Sequence, residues 1–147
     1  ERPMAGAPFT MEVELGKIRE FARATKSSNP GYLTADVPVS PATFLATAAF
    51  WTGPENAPPM AEIGDPARVL HGEQEFVFHG EPPRAGTRLV GQTRIGNSYD
   101  KRGTRGGSMR FVELVTEFRT PEGRLVAESK TTVIVTSQAP AEGPTAS

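Results

Sequence analysis

The segment from Ser40 to Trp51 (SPATFLATAAFW) limits what this chain can fold into more than any other, because it carries no charged residue. Serine is a good helix N-cap and proline suits the first helical position, so Ser40-Pro41 announces a helix. Gly53-Pro54 stops it. A helix that is apolar on every side is buried on every side. The expectation is one short, fully enclosed helix early in the chain, with Phe44, Phe50 and Trp51 read as core rather than pocket lining. Whatever encloses it must come from the rest of the sequence.

The remainder reads mostly as strand. In Val69–His79 the even positions Leu70, Gly72, Gln74, Phe76 and Phe78 are mostly apolar, whereas His71, Glu73, Glu75 and His79 are polar. Alternation of that kind marks a half-buried antiparallel strand with the histidines on its polar face. Thr87–Tyr99, Met109–Phe118 and Leu125–Thr136 follow, joined by EPPRAG, KRGTRGG and TPEG. The last two runs are rich in Val, Ile, Thr and Phe, as strands should be, and Gly123 supplies the positive φ of a tight hairpin loop. Ahead of the central helix, Phe9–Glu14 reads as a short strand and Leu15–Thr25 as an amphipathic helix. Leu15, Ile18 and Ala22 share one face there, with Lys17, Arg19, Glu20 and Arg23 turned away. The segment SSNPG at 27–31 ends that helix, since Pro30 disfavours helix at the residue before it. A strongly twisted antiparallel sheet wrapped around an apolar helix satisfies both patterns. That is an α+β chain with the hot-dog arrangement.

Composition narrows the function classes. A length of 147 residues favours one domain, taken as 1–136, with 137–147 a polar, Pro-containing tail expected to be mobile. Charge is balanced at 16 Lys+Arg against 17 Asp+Glu, which argues against a nucleic-acid partner. No apolar run approaches the ~18–20 residues of a membrane span, and no signal-peptide core is evident. A cytoplasmic domain is expected. The absence of cysteine removes disulfides, Cys-ligated zinc and a thiol nucleophile together, and two histidines leave little for a metal site. No metal and no cofactor are expected.

Several segments, in order, resemble the MaoC-like dehydratases, in particular the N-terminal-type domains and (3R)-hydroxyacyl-thioester dehydratase subunits. They are KIREFARAT at 17–25 with Asn29-Pro30, PATFL at 41–45, HGEQEFVFH at 71–79 with Pro83 and Gly86, YDKRG at 99–103, and FVELVTEFRTPEGRLVAES at 111–129. The resemblance implies a hot-dog fold and reversible hydration of a trans-2-enoyl thioester carried on CoA or acyl carrier protein. Active members carry G-D-x-N-P-x-H. One of its acid/base groups moves the proton at Cα while a water is activated for Cβ, so both must reach the same substrate face. Backbone N–H groups at the start of the buried helix polarise the thioester carbonyl. Aligned on Asn29-Pro30, this chain has Lys26 for the glycine, Ser27 for the aspartate and Tyr32 for the histidine. Serine is no carboxylate base, and a tyrosine side chain ordinarily ionises only near ~10. The resemblance therefore implies no catalytic residue in this chain and a second hot-dog subunit that supplies the pair, in a heterodimer or a homodimer.

Other residues carry smaller expectations. The resemblance makes Asn29, Ser40, Ala42, Thr43, Phe44, His71 and Gln74 the candidate substrate-binding set. His71 and His79 lie roughly 26 Å apart along one strand at ~3.3 Å per residue, too far to act on one bond. Gln74 needs hydrogen-bond partners if buried. Lys101, Arg102 and Arg105 sit in a Gly-rich connection and are candidates for the phosphates of CoA or of a carrier protein's prosthetic arm. That connection is no P-loop, because no GK[ST] follows. A thioesterase on the same fold stays open, with Glu14, Asp36 or Glu73 as its carboxylate, as does a non-enzymatic acyl-thioester binding module.

Overall fold

The computed structural model describes residues 5–59, 63–103 and 107–137. Strand β1 (Phe9–Glu12) leads into helix α1 (Leu15–Ala24) and a one-turn helix α2 (Pro30–Leu33). The central helix (Phe44–Trp51) comes next, followed by β2 (Val69–Phe78), β3 (Arg88–Arg102), β4 (Ser108–Arg119) and β5 (Leu125–Thr136). The strands form one antiparallel sheet in the order β1-β3-β4-β5-β2. Gly123, at φ 96°, closes the β4–β5 hairpin as expected.

Directly opposed residues share a face, so the register writes out the side of the sheet that meets the helix. One row across it is Phe9, Gly91, Phe118, Ala127 and Phe78. These residues pack with Met11, Leu89, Phe44, Leu45 and Ala48 in one core. Ile18 and Ala22 of α1 are fully buried, and Phe21 meets Phe44 edge to face with ring centroids 5.7 Å apart. Further along the same face Val112 and Val133 form a second apolar cluster with Ile63. Each large side chain withdrawn from water this way contributes about 1.5–3 kcal/mol.

Three expectations about the central helix are corrected. Its turns close with i to i−3 hydrogen bonds, Phe44 N–H to Pro41 O and Ala46 N–H to Thr43 O, so it is a 3₁₀-type helix. Ser40 is not its N-cap; that position is Thr43. Residues 38–40 run extended against 83–85, with Ser40 N–H donating to Pro83 O and Ala85 N–H to Pro38 O, and Ser40 Oγ makes no capping hydrogen bond. The helix is also not enclosed all round. Phe44, Leu45, Thr47 and Ala48 are buried, but Phe50 is 80% exposed and Trp51 is 36% exposed. One sheet can cover only one side of a rod, which leaves Phe50 and Trp51 outside the core that was expected to hold them.

The phase of β2 is corrected as well. Its register against β5 shifts between His71 and Glu73, a bulge at Gly72 that adds one residue. Gln74, Phe76 and Phe78 oppose Thr131, Ser129 and Ala127, whereas Val69 and His71 oppose Val135 and Val133. His71 therefore lies on the helix side of the sheet, not on the polar outer face, and Leu70 lies on the outer face. Of the tail expected to be mobile, 137–147, all but Ser137 lies outside the described residues.

Candidate functional site

A cavity of about 280 Å³ lies between the central helix and the sheet. Leu45, Ala46 and Ala49 wall it from the helix, and Phe76 and Phe118 wall it from the strands. Phe9 and Ala48 also line it, and the rest of its lining is polar. Thr93, Thr116 and Ser129 stand opposite one another on β3, β4 and β5, and Thr131 and Gln74 face each other in the next row. Thr93 and Thr116 share a hydroxyl–hydroxyl bond of 2.8 Å. Gln74 Nε2 donates to Ser129 Oγ at 2.8 Å, and Thr131 Oγ1 donates to Gln74 Oε1 at 2.8 Å. His71 Nε2 lies 3.4 Å from the same Gln74 oxygen. Gln74 is exposed rather than buried, and its partners are strand side chains and Lys130 O, not the helix.

The turn bearing Asn29-Pro30 has a definite geometry. Lys26 N–H donates to Arg23 O at 3.0 Å and Ser27 N–H to Ala22 O at 2.8 Å, the Schellman pattern that ends many helices. That pattern needs a left-handed residue, and Lys26 takes it at φ 57°. Ser27 Oγ accepts the N–H of Asn29 at 3.3 Å. Asn29 Oδ1 accepts the N–H of Gly31 at 2.9 Å and so caps α2. Tyr32, half-buried, packs its ring against the main core. Ser27, Asn29 and Tyr32 are thus brought together by local turns, and none of them lines the cavity.

The other expected residues scatter. Ala42 and Thr43 are exposed at the start of the central helix, while Phe44 is fully buried core. Ser40 is buried, and its Oγ has no hydrogen-bond partner among the described residues. Lys101 and Arg102 lie at the far end of β3. The Lys101 ammonium sits 5.4 Å from the Tyr99 ring centroid and 5.1 Å from that of Phe111, two rings stacked 5.1 Å apart. Arg105 lies outside the described residues. His79 Nε2 bonds Glu128 Oε2 at 2.8 Å, on the row opposite to the cavity. Glu14, Asp36 and Glu73 are exposed and none lines the cavity. The hydroxyl row was missed in the sequence because its members lie on separate strands, each reading there as an ordinary strand residue.

A curved antiparallel sheet with a central helix across one face defines the hot-dog class, and the site lies where the two meet. The chain belongs to the FAS1-like dehydratase domain region family, whose model matches residues 4–129. It is 37% identical over 94 residues to a UPF0336 protein of Streptomyces coelicolor, covering 56% of this chain and 61% of that protein. A UPF0336 protein of Mycolicibacterium paratuberculosis is 32% identical over 136 residues, covering 87% of this chain and 75% of that protein. The chain thus spans about three fifths to three quarters of these relatives. Among solved structures it is similar to the HadBC (3R)-hydroxyacyl-ACP dehydratase complex of Mycobacterium tuberculosis, with TM-score 0.63, 23% identity, and 90% and 96% of the two chains covered. It is also similar to the ChsH1-ChsH2 complex of the same organism, with TM-score 0.68, 18% identity, and 95% and 87% covered. A MaoC-like dehydratase of Phytophthora capsici gives TM-score 0.69 at 18% identity, over 94% of this chain and 49% of that one. At these identities the structural likeness establishes the fold. Among the described residues no helix is long and apolar enough to cross a membrane.

Proposed function

We propose that this chain is the substrate-binding half of a cytoplasmic enoyl-thioester hydratase, or (3R)-hydroxyacyl-thioester dehydratase, completed by a second hot-dog subunit. The observation that carries this reading is the Asn29-Pro30 turn. Its Asn-Pro pair matches the family's motif, yet the groups at its two chemical positions are a serine hydroxyl that accepts a backbone N–H and a tyrosine ring packed on the core. Hydration adds a proton to Cα and hydroxide to Cβ, and neither group is suited to transfer that proton. The partner supplies the Asp/His pair. The exposed side of the central helix, with Phe50 and Trp51 uncovered, supports a partner that closes over it, and HadBC and ChsH1-ChsH2 are complexes by their own names.

In this reading Ser40 and the amides near Ala42 and Thr43 receive the thioester oxygen. The unpartnered Ser40 hydroxyl supports that assignment, because a buried hydroxyl without a partner costs free energy until something fills its bond. Lys101 and Arg102 meet carrier phosphates, and His71 and Gln74 border the acyl chain. The test is hydration of a trans-2-enoyl-CoA by the purified chain, alone and mixed with a hot-dog protein that carries an intact Asp…Asn-Pro…His motif. The expected result is no turnover alone and activity in the mixture above that of the partner by itself. Robust hydration by the chain alone would overturn the assignment.

A further inference from the structure

Beneath the central helix the sheet presents oxygen where a packed core would present carbon. Thr93 and Thr116 are half-buried; threonine and valine have the same shape, so packing does not by itself select hydroxyls there, and a hydroxyl drawn out of water is favourable only when it is hydrogen-bonded. The bonds present do not use every proton. The Thr93–Thr116 bond consumes one of its two hydroxyl protons. Ser129 Oγ accepts from Gln74 Nε2 and keeps its own proton, while Thr131 spends its proton on Gln74 Oε1. Two O–H donors are left on the wall of a cavity of about 280 Å³ whose other surfaces include Leu45, Phe76 and Phe118. Since the Asn29-Pro30 turn does not line this cavity, the row lies apart from the hydratase turn.

We propose that this cavity is an acyl subsite for a thioester whose chain carries a hydroxyl or carbonyl oxygen beyond the reacting Cα and Cβ. Ser129 and one member of the Thr93–Thr116 pair donate to that oxygen, and the apolar walls take the neighbouring carbons. A plain alkyl chain entering the same space strands both donors, the penalty that lets a polar site reject an analogue lacking the matching group. This inference rests on the acyl-thioester reading above and specifies its substrate class.

The test is equilibrium binding of the full chain to hexanoyl-CoA and to its hydroxy- and oxo-substituted counterparts, with the oxygen moved along the chain beyond the β-carbon. One substituted thioester is expected to bind about tenfold tighter than hexanoyl-CoA, the factor that one well-made hydrogen bond supplies. The Thr93→Val/Thr116→Val double variant and the Ser129→Ala variant are each expected to cut that preference severalfold without weakening hexanoyl-CoA binding by more than about twofold. Two variants on different strands guard against a local folding defect in either. Tighter or equal binding of hexanoyl-CoA across the series would overturn the polar subsite and leave the thioester reading standing. Saturable binding of no thioester at all, with or without oxygen, would overturn both.

Discussion

Gly91 is the position where the core's packing can be tested most sharply. It lies between Phe9 on β1 and Phe118 on β4, and the Phe9 ring covers it. A Cβ placed there would lie 2.6 Å from Phe9 Cε1 and 2.7 Å from Cε2, and closer still to Cζ. The ring has little freedom to retreat, being only 7% exposed and set edge to face against Phe118 at 6.3 Å. Overpacking of this kind costs about 1–3 kcal/mol, while replacing glycine by alanine returns about 0.5 kcal/mol through the unfolded chain. Gly91→Ala should therefore destabilise the protein by about 0.5–2.5 kcal/mol, a Tm loss of about 1–10 °C at roughly 2–4 °C per kcal/mol. Phe9→Ala alone should cost about 3–5 kcal/mol. With that ring gone, Gly91→Ala should reverse sign and stabilise by about 0.5 kcal/mol, a coupling of roughly 1–3 kcal/mol. Urea unfolding of the four proteins, followed by far-UV circular dichroism, measures the cycle. If Gly91→Ala costs the same with and without Phe9, the ring is not what excludes a side chain there, and the reasoning fails.

Lys26 holds a left-handed backbone at φ 57°, a conformation that costs a side-chain-bearing residue about 1–2 kcal/mol. After allowing for glycine's greater unfolded freedom, Lys26→Gly should raise the unfolding free energy by about 0.5–1 kcal/mol, and a fall would refute the strain. Asn29→Ala removes the cap of α2 and should cost about 1 kcal/mol, against a few tenths for Asn29→Gly; equal losses from the two in thermal melts would mean that the cap bond contributes nothing. Phe50→Asp, at a ring 80% exposed with Lys17 Nζ 5.7 Å from its centroid, should change the stability of the isolated chain by no more than about 0.5 kcal/mol. The same change should weaken association with a hot-dog partner at least tenfold in sedimentation, and undiminished association would place the interface elsewhere.

Much of the architecture could be read from periodicity. Helix α1 begins at Leu15 and strand β5 spans Leu125–Thr136 as expected, because each buries one face and the pattern reports that face. The Asn29-Pro30 turn could be located but not interpreted. Only the backbone reveals that the position of the family's glycine is left-handed and that Lys26 occupies it under strain. The central helix misled for a physical reason. The absence of charge on a helix does not say which of its sides its own sheet covers, and Phe50 and Trp51 lie outside the core expected to hold them. The hydroxyl row had no sequence signature, since Thr93, Thr116 and Ser129 are neighbours only through register across β3, β4 and β5. Strand pairing is the least local information a sequence holds.

The bulge at Gly72 makes β2 a splice of two half-strands of opposite parity. Deleting that one residue would fuse them into a single parity. With the later half anchored to β5, Val69 and His71 would stay on the helix side and Leu70 on the outer surface, because the bulge already absorbs the extra residue; flattening the bulge with Gly72 retained would exchange them, with no side chain altered. The bulge, rather than chain length, therefore acts as a selector between an imidazole and an isobutyl group on the helix side of the sheet, beside Gln74. Among relatives, a strand of the same length without the bulge would exchange the chemistry at the rim of the cavity as thoroughly as a substitution. Sequences compared column by column without regard to that parity would pair residues that face opposite ways.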